Sequence, residues 1–321
     1  DLGYVVPYID FPLLDGITQK RRFYEICEEL DIPFPKTWYF DCGNGPDELP
    51  VDEFPYPLIA KPSNSAQFQD AEPSIEGWRK IYEIESPEEL AQVWRSIRTS
   101  DYNNLLVLQD FIPGGDDAIR TLTTFSDASG DMRVVAGGVV CLQDHDPTAL
   151  GNPLCIMGER EEAIISCAKR FLSHVGYRGF ANFDIKYDAR DGQYKFFEIN
   201  LRQGRSSFYV TLNGYNLAKW YVDDYAEDSL AGQETVYANK LESSHMLWLG
   251  VPEKIFKEYA VDNEAKQAAL KLIDAGQVGT TVFYDQDSSF KRWLLMKYMF
   301  HNYYKRFKTY FQVNKGQYFD K

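Results

Sequence analysis

The stretch GFANFDIKYDARDGQYKFFEINLRQGRSS, residues 179–207, decides how the chain is read. Side chains alternate along it as along two strands. Ala181, Phe183 and Ile185 fall on one side with Phe197, Ile199 and Leu201, while Asn182, Asp184, Lys186, Glu198, Asn200 and Arg202 fall on the other, because successive strand residues face opposite ways. Between the two runs stands Asp188-Ala189-Arg190-Asp191-Gly192, whose Asp-Gly step predicts a turn and hence an antiparallel hairpin. Closed symmetrically about that turn, the hairpin sets Asp184 opposite Glu198, with Asn200 two residues further along the same face. Two carboxylates and a carboxamide oxygen in so small an area suit a hard divalent cation. Magnesium in particular takes one or two carboxylates and leaves its other positions to water and phosphate. Arg202, one step on, is a natural partner for phosphate oxygens or a developing oxyanion. The polar side of any half-buried hairpin alternates in the same way, so spacing alone leaves a purely structural face equally open.

Length and composition set the bounds. The 321 residues are 44% hydrophobic and rich in aromatics, enough for one large core or two to three subdomains and too apolar for disorder. No run approaches the roughly 18 apolar residues of a membrane span. The chain opens on Asp1, with neither a methionine nor a charged-then-apolar leader, so a processed product or a fragment is expected. Cys27, Cys42, Cys141, Cys155 and Cys167 are scattered without a Cys-x-x-Cys pair, the pattern of buried thiols in a reducing compartment. The histidines form no His-Glu-x-x-His motif, which excludes that class of metalloprotease. A formal net charge of −14 argues against general nucleic-acid binding. Residues 288–321 carry eight Lys and Arg against one Asp, so residues 1–287 hold a formal −21.

Taken in order, residues 1–15 show no helical or strand period. KRRFYEICEELDIPFPKTW, from Lys20, places Phe23, Ile26, Cys27 and Leu30 at helical spacing before Pro33 and Pro35 end the helix. YPLIAKP, residues 56–62, predicts a short buried strand that delivers Lys61 to a polar loop, residues 63–67. A strand is expected over residues 79–84. Ser86, Pro87 and Glu89 then mark a capped helix start. LLVLQDFI, residues 105–112, is a strand ending in a Pro-Gly-Gly-Asp-Asp loop, and residues 118–126 and 132–142 are two more strands. A helix is expected over residues 159–175 and another from 215 to 225. Antiparallel strands with single helices make the class α+β. Neither a Walker-type loop nor a G-x-G-x-x-G fingerprint occurs.

In order and spacing these pieces resemble the ATP-grasp superfamily of carboxylate–amine ligases over residues 17–225. Glu198-Ile199-Asn200-Leu201-Arg202, preceded by Asp184 in a G-F-x-x-x-D strand, looks like that family's metal hairpin. The resemblance implies a fold of two α+β subdomains that clasp ATP, with an N-terminal domain largely absent and a C-terminal helical extension added. Expected boundaries are 1–19 for a remnant or linker, 20–55 for a helix and linker, 56–117 for the lid subdomain, 118–240 for the catalytic subdomain and 241–321 for the extension. Lys20, thirteen residues before Pro33, resembles the first nucleotide lysine, and Lys61 the second, on the α- and β-phosphates. Ser63 and Ser65 fall in the family's phosphate lid. Gln109, Asp110, Phe111 and Ile112 occupy the adenine hinge, and Asp116 or Asp117 the position of the ribose acid. The resemblance further implies two Mg²⁺ on Asp184, Glu198 and Asn200, an acyl-phosphate intermediate, and Arg202, Arg205 and Ser206 around the reacting oxygens.

Within the superfamily, residues 196–225 and a basic aromatic tail are most similar to the bacterial D-aspartate ligase group, which adds an amino acid to the lysine side chain of a peptidoglycan precursor. Partners implied are an amino-acid carboxylate and an amine acceptor, a cell-wall precursor, in the cytoplasm. Three departures stand out. The loop after Lys61 lacks the glycines many members carry, Asn182 stands where D-alanine–D-alanine ligases hold an arginine, and only nineteen residues precede Lys20. KRWLLMKYMFHNYYKRFKTYF, residues 291–311, mixes aromatics with cations as an interfacial helix does. It is expected either to touch the inner membrane face or to pack on the acidic body of the same protein. Another ATP-grasp chemistry, a dipeptide ligase or a carboxylase, and a non-catalytic nucleotide-binding protein remain the alternatives.

Overall fold

A computed structural model describes residues 3–146, 148–238, 246–283, 286 and 289–311. The expected boundary at 240/241, and residues 312–321 of the extension, lie outside them. The chain divides into two compact units, one of residues 19–113 and one that combines residues 1–18 with 114–321. Residues 1–15, which showed no period, contribute helix α1 (Phe11–Thr18) to the second.

In the smaller unit, α2 (Lys20–Glu29) precedes a four-stranded antiparallel sheet of β1 (Thr37–Asp41), β2 (Leu58–Pro62), β3 (Tyr82–Ile84) and β4 (Leu105–Asp110), ordered β1-β4-β2-β3. Helices α3 (Ser65–Asp70) and α4 (Pro87–Arg98) complete it. The start of α4 follows the predicted signals. Ser86 Oγ accepts from the Glu89 N–H at 3.3 Å, and the Glu89 carboxylate reaches back to the Glu85 N–H at 2.6 Å, so orphan donors at the helix start are satisfied. Leu58 and Ala60 of β2, Leu106 and Leu108 of β4, and Leu90, Trp94 and Ile97 of α4 share one core. Burial of each such large side chain stabilises by about 1.5–3 kcal/mol. The strand expected over 79–84 is cut to Tyr82–Ile84, because only those residues pair with β2.

The larger unit is built on an eight-stranded sheet whose main path runs β12-β11-β7-β6-β5-β8-β9. Its long strands are β5 (Ile119–Ser126), β6 (Met132–Gln143), β7 (Pro153–Glu159), β8 (Gly179–Asp188) and β9 (Gln193–Asn200). Short strands are β10 (Val236–Tyr237), which pairs with β6, and β11 (Leu247–Leu249) and β12 (Val278–Gly279) at the edge. The helices are α5 (Glu162–His174), α6 (Phe208–Leu212), α7 (Leu217–Tyr225), α8 (Glu253–Tyr259), α9 (Glu264–Asp274) and α10 (Phe290–Arg306). The helix expected from residue 159 starts at Glu162, since Glu159 still pairs with Gly137 as the last residue of β7. Phe183 of β8 meets Phe171 of α5 and Phe196 of β9 edge-on, so α5 covers one face of the hairpin. The other face carries the polar side chains.

The hairpin departs from strict alternation at one place. Asp184 pairs with Glu198, but Ile185 pairs with Phe196, so β9 holds one extra residue. This β-bulge reverses the phase of the strand. Phe197, expected inward, is half-buried, and its neighbour Phe196 is buried in its stead. Gly192 closes the turn with φ +72°, a left-handed conformation that glycine adopts without strain. Cys27, Cys42, Cys141 and Cys155 are buried and Cys167 half-buried, all as free thiols.

Candidate active site

In the larger unit, three strands place six polar side chains in two rows on the face away from α5. Thr121 of β5 pairs with Asp184 of β8, which pairs with Glu198 of β9. One step along, Thr123 pairs with Asn182, which pairs with Asn200. The sequence anticipated the Asp184–Glu198 pairing and the position of Asn200. It did not anticipate that β5, 60 residues earlier, supplies the third column.

Hydrogen bonds lock the rows together. The hydroxyls of Thr121 and Thr123 both donate to Asn182 Oδ1, at 3.0 and 2.9 Å. That fixes the Asn182 amide with its Nδ2 toward Asp184 Oδ1, at 3.3 Å. From the other strand Asn200 Nδ2 donates to Asp184 Oδ2 at 2.9 Å. The Asp184 carboxylate is therefore oriented by an amide on each oxygen. Asp184, Glu198 and Asn200 are half-buried, as a site open to a ligand requires.

Among the described residues no group of three or more His, Cys, Asp or Glu side chains could hold a metal ion. The donor set here is two carboxylates plus the Asn200 carboxamide oxygen, since the Asn182 oxygen is taken by the two threonines. All are hard oxygen ligands, few in number, and that is the set Mg²⁺ accepts when it keeps water and phosphate in its remaining positions. The residues fit the ion.

Beyond the hairpin, Arg202 is exposed and makes no hydrogen bond or ion pair with a described residue. Arg205 is tied down. Its Nη1 donates to the Tyr303 hydroxyl at 2.9 Å, Nη2 donates to the Pro153 carbonyl at 3.5 Å, and its guanidinium lies 5.8 Å from the Trp248 ring centroid. Ser206 is half-buried, and its carbonyl accepts from the Tyr209 N–H at the start of α6. The Tyr209 hydroxyl donates to the Ala136 carbonyl, and complete burial raises it well above an ordinary phenol.

The two candidate ribose acids differ. Asp116 is buried, with one carboxylate oxygen accepting from the Gln143 N–H at 2.8 Å and the other from Gln143 Nε2 at 2.9 Å. It is committed to holding the chain between the two strands. Asp117, half-exposed, retains a carboxylate near the surface. A buried carboxylate in a short acidic turn has no distinguishing mark in sequence, because Gln143 lies 27 residues away.

In the smaller unit, Lys61 lies on the sheet face opposite the core. Tyr39, Val107 and Lys61 form one row across β1, β4 and β2, and Thr37, Gln109 and Ile59 form the next. Burial, then the nearby Glu25, pushes the Tyr39 hydroxyl up to about 12. Gln109 is buried and its Nε2 donates to Thr37 Oγ1 at 2.8 Å. The hinge N–H groups of Asp110 and Phe111 donate to the carbonyls of Lys36 and Pro57. Phe111 and Ile112 are buried. Lys20 is the first residue of α2.

The polar loop expected over 63–67 is shorter than its sequence implied. Asn64 accepts from the Gln67 N–H at 3.0 Å and so caps α3, which begins at Ser65. Ser63 Oγ donates to Asn104 Oδ1 at 2.9 Å and its N–H to the Leu105 carbonyl, while Gln67 Nε2 donates to Asn103 Oδ1 at 2.6 Å. Ser65 stays exposed. Asn103 and Asn104 are contributors that the sequence reading missed, and only the pairing of β2 with β4 brings them alongside.

Comparison with known proteins follows the same lines. No protein-family model matches the chain. It is 45% identical over 318 residues to a D-aspartate ligase of Enterococcus faecium (strain Aus0004), covering 98% of this chain and 74% of that protein. Among solved structures it is similar to an L-amino acid ligase from Bacillus licheniformis, with a TM-score of 0.50, 17% identity and coverage of 70% of this chain and 52% of that one. It is also similar to the biotin carboxylase domain of the Hydrogenobacter thermophilus 2-oxoglutarate carboxylase, solved with MgADP and bicarbonate. There the TM-score is 0.52, the identity 15%, and the coverage 73% of this chain and 49% of that one. The chain thus spans about half the length of these solved chains, and at such identities the likeness concerns the fold.

Proposed function

The chain belongs to the D-aspartate ligase family, ATP-dependent carboxylate–amine ligases of ATP-grasp fold, and from that premise we propose that it energises the carboxylate of D-aspartate with ATP and joins it to an amine. The observation that carries the reading is the two-row polar face, in which Asp184 and Glu198 stand opposed and the amides of Asn182 and Asn200 aim the Asp184 oxygens. A face made only for solubility has no physical need of a carboxylate held on both oxygens by amides that are themselves pinned by threonines.

A carboxylate resists amine attack because its leaving group would be an oxide. Transfer of the terminal phosphoryl group of ATP yields an acyl phosphate, whose leaving group is phosphate. Such transfer rests on positioning and charge neutralisation and needs no protein nucleophile. Asp184, Glu198 and Asn200 would hold two magnesium ions, which would supply charge neutralisation at the phosphates. Lys20 and Lys61 carry further positive charge for the phosphates, with Ser63 and Ser65 beside Lys61. The backbone of residues 109–112 receives the adenine edge, and Asp117, rather than the internally bonded Asp116, receives the ribose. Arg202, with Arg205 and Ser206, stabilises the oxyanion that forms when the amine attacks.

The acceptor in this reading is a lysine amine of a peptidoglycan precursor. No described helix is long and apolar enough to cross a membrane. A peripheral contact is favoured by α10, which exposes Phe290, Trp293, Leu294, Leu295, Tyr298 and Met299 and contains no acidic residue. Tyr303 near its end, with Phe307 and Phe311 just beyond it, packs inward, so both expectations for the tail find support on different segments. The deciding experiment is ADP release with Mg·ATP and a lysine-containing acceptor peptide. D-aspartate should stimulate release well beyond L-aspartate or other amino acids, and equal stimulation by either enantiomer would overturn the substrate assignment.

A further inference from the structure

The loop that carries Arg202, Arg205 and Ser206 is fastened from the C-terminal side of the chain, and the fastening converges on one of the three. Tyr303 of α10 accepts a hydrogen bond from Arg205 Nη1 at 2.9 Å. Thr281 Oγ1 donates to the Arg205 carbonyl at 3.3 Å while accepting from Trp248 Nε1 at 3.0 Å. The Trp248 ring in turn lies 5.8 Å from the Arg205 guanidinium. Residues 248–303 thus supply the tie to the Arg205 carbonyl, the ring contact and the Nη1 bond, and the Pro153 carbonyl adds a longer contact from Nη2 at 3.5 Å.

The anchor is itself anchored. Tyr303 and Phe307 are buried in the core shared with α8 and α9. Arg306, the last residue of α10, pairs with Asp144 at 2.8 Å and Asp146 at 3.2 Å. Arg205 remains exposed despite these ties. A guanidinium has five N–H donors, so an arginine that uses one on each Nη and stays exposed keeps others to present in a defined direction, which is the state a pre-organised anion site requires.

We propose that Tyr303 is a positioning residue for the ligase reaction: the C-terminal helix holds the Arg205 guanidinium in the orientation that meets the anionic oxygens of the reacting acyl group. The proposal rests on the reading of Arg205 as an oxyanion-side donor. It gives the C-terminal extension a role in the chemistry of the site in addition to packing. A tyrosine hydroxyl acting through an arginine should affect the reacting state more than the binding of nucleotide. Its removal should therefore lower kcat and leave KM for Mg·ATP in place.

The test is a double-mutant cycle on the full chain with Tyr303→Phe, Arg205→Ala and the double variant, read as D-aspartate-dependent ADP release together with melting temperature. Tyr303→Phe should lower kcat about tenfold with KM for Mg·ATP within twofold. Arg205→Ala should lower it about 10²- to 10³-fold, as for loss of an oxyanion donor. On the Arg205→Ala background Tyr303→Phe should change kcat by less than twofold, because residues acting through one another are non-additive. Thr281→Val, which removes the tie to the Arg205 carbonyl, should shift kcat in the same direction and serves if Tyr303→Phe melts early. A Tyr303→Phe enzyme within twofold of the parent, beside an impaired Arg205→Ala, overturns the positioning role alone, as does a tenfold loss that persists on the Arg205→Ala background. A near-normal Arg205→Ala overturns the reading of Arg205 itself.

Discussion

Replacing Asn182 by alanine separates the structural from the chemical side of the polar face. The Asn182 amide accepts from Thr121 and Thr123, residues that are 4% and 2% exposed, and donates to Asp184. Asn182→Ala leaves two buried hydroxyls without their acceptor. An unsatisfied buried polar group costs about 1–3 kcal/mol, and a hydroxyl that can rotate lies at the low end, so a loss near 2 kcal/mol is expected. The same substitution frees one oxygen of Asp184 to turn. Loss of such an outer hydrogen-bond partner typically weakens metal affinity about 10- to 100-fold, or roughly 1.4–2.7 kcal/mol. The assay is ADP release against total Mg²⁺ at saturating ATP, with a thermal melt of the same sample. The half-saturating Mg²⁺ should rise at least tenfold. Adding Thr121→Val and Thr123→Val to the variant should restore much of the stability, because removing both partners of a lost bond relieves the desolvation penalty, and should leave the Mg²⁺ requirement raised. A destabilised Asn182→Ala enzyme with an unchanged Mg²⁺ requirement would refute the claim that this amide orients a metal ligand.

Other outcomes follow from the same geometry. Glu198→Ala should abolish ATP-dependent phosphate release while the protein stays folded, and near-normal turnover of a folded variant would count against the metal assignment. Arg202→Ala should lower turnover about 10²- to 10³-fold, and an effect below tenfold would favour a plain surface arginine. Asp188, in the hairpin turn, is held below the usual carboxylate range by its hydrogen bond from Arg190, offset in part by burial. A depressed carboxylate stabilises the fold above its unfolded value of about 3.9 and loses that contribution as the pH falls through its folded value. Arg190→Ala should therefore cost about 1 kcal/mol at pH 7, a modest figure because the arginine is half-exposed. The gap in chemical-denaturation stability should close below about pH 4, and a gap unchanged at pH 3 would show that it does not come from Asp188. Vesicles containing anionic lipid should co-sediment with the protein at low salt, and Trp293→Ser with Leu294→Ser should weaken this. No binding of the parent at low salt would remove the membrane contact.

Local rules account for much of what the sequence showed. Alternation of period two and an Asp-Gly turn suffice to set Asp184 against Glu198, because both act over a few residues and the hairpin closes on itself. The capped start of α4 is equally local, since Ser86 and Glu89 accept from nearby N–H groups and Pro87 has none to satisfy. Even the departures inside this range are instructive. Asn64 converts an expected loop into α3 by capping it, a signal present in the sequence but outweighed by the polar composition of residues 63–67.

What the chain alone determined, then, is the hairpin and its opposed acids, carried by short-range periodicity and a turn signal, while the kinship of the fold came from the resemblance of motifs along residues 17–225 to a known superfamily. Tertiary structure decided which of those side chains are held and by what. The threonines that pin Asn182 lie 61 and 59 residues away, the glutamine that occupies Asp116 lies 27 away, and the tyrosine that holds Arg205 lies 98 away. The bulge that turns Phe196 inward arises from the pairing of β9 with β8. Such partners are chosen by strand register and by burial of polar groups that must find hydrogen bonds, and neither has a local signature until the sheet has formed.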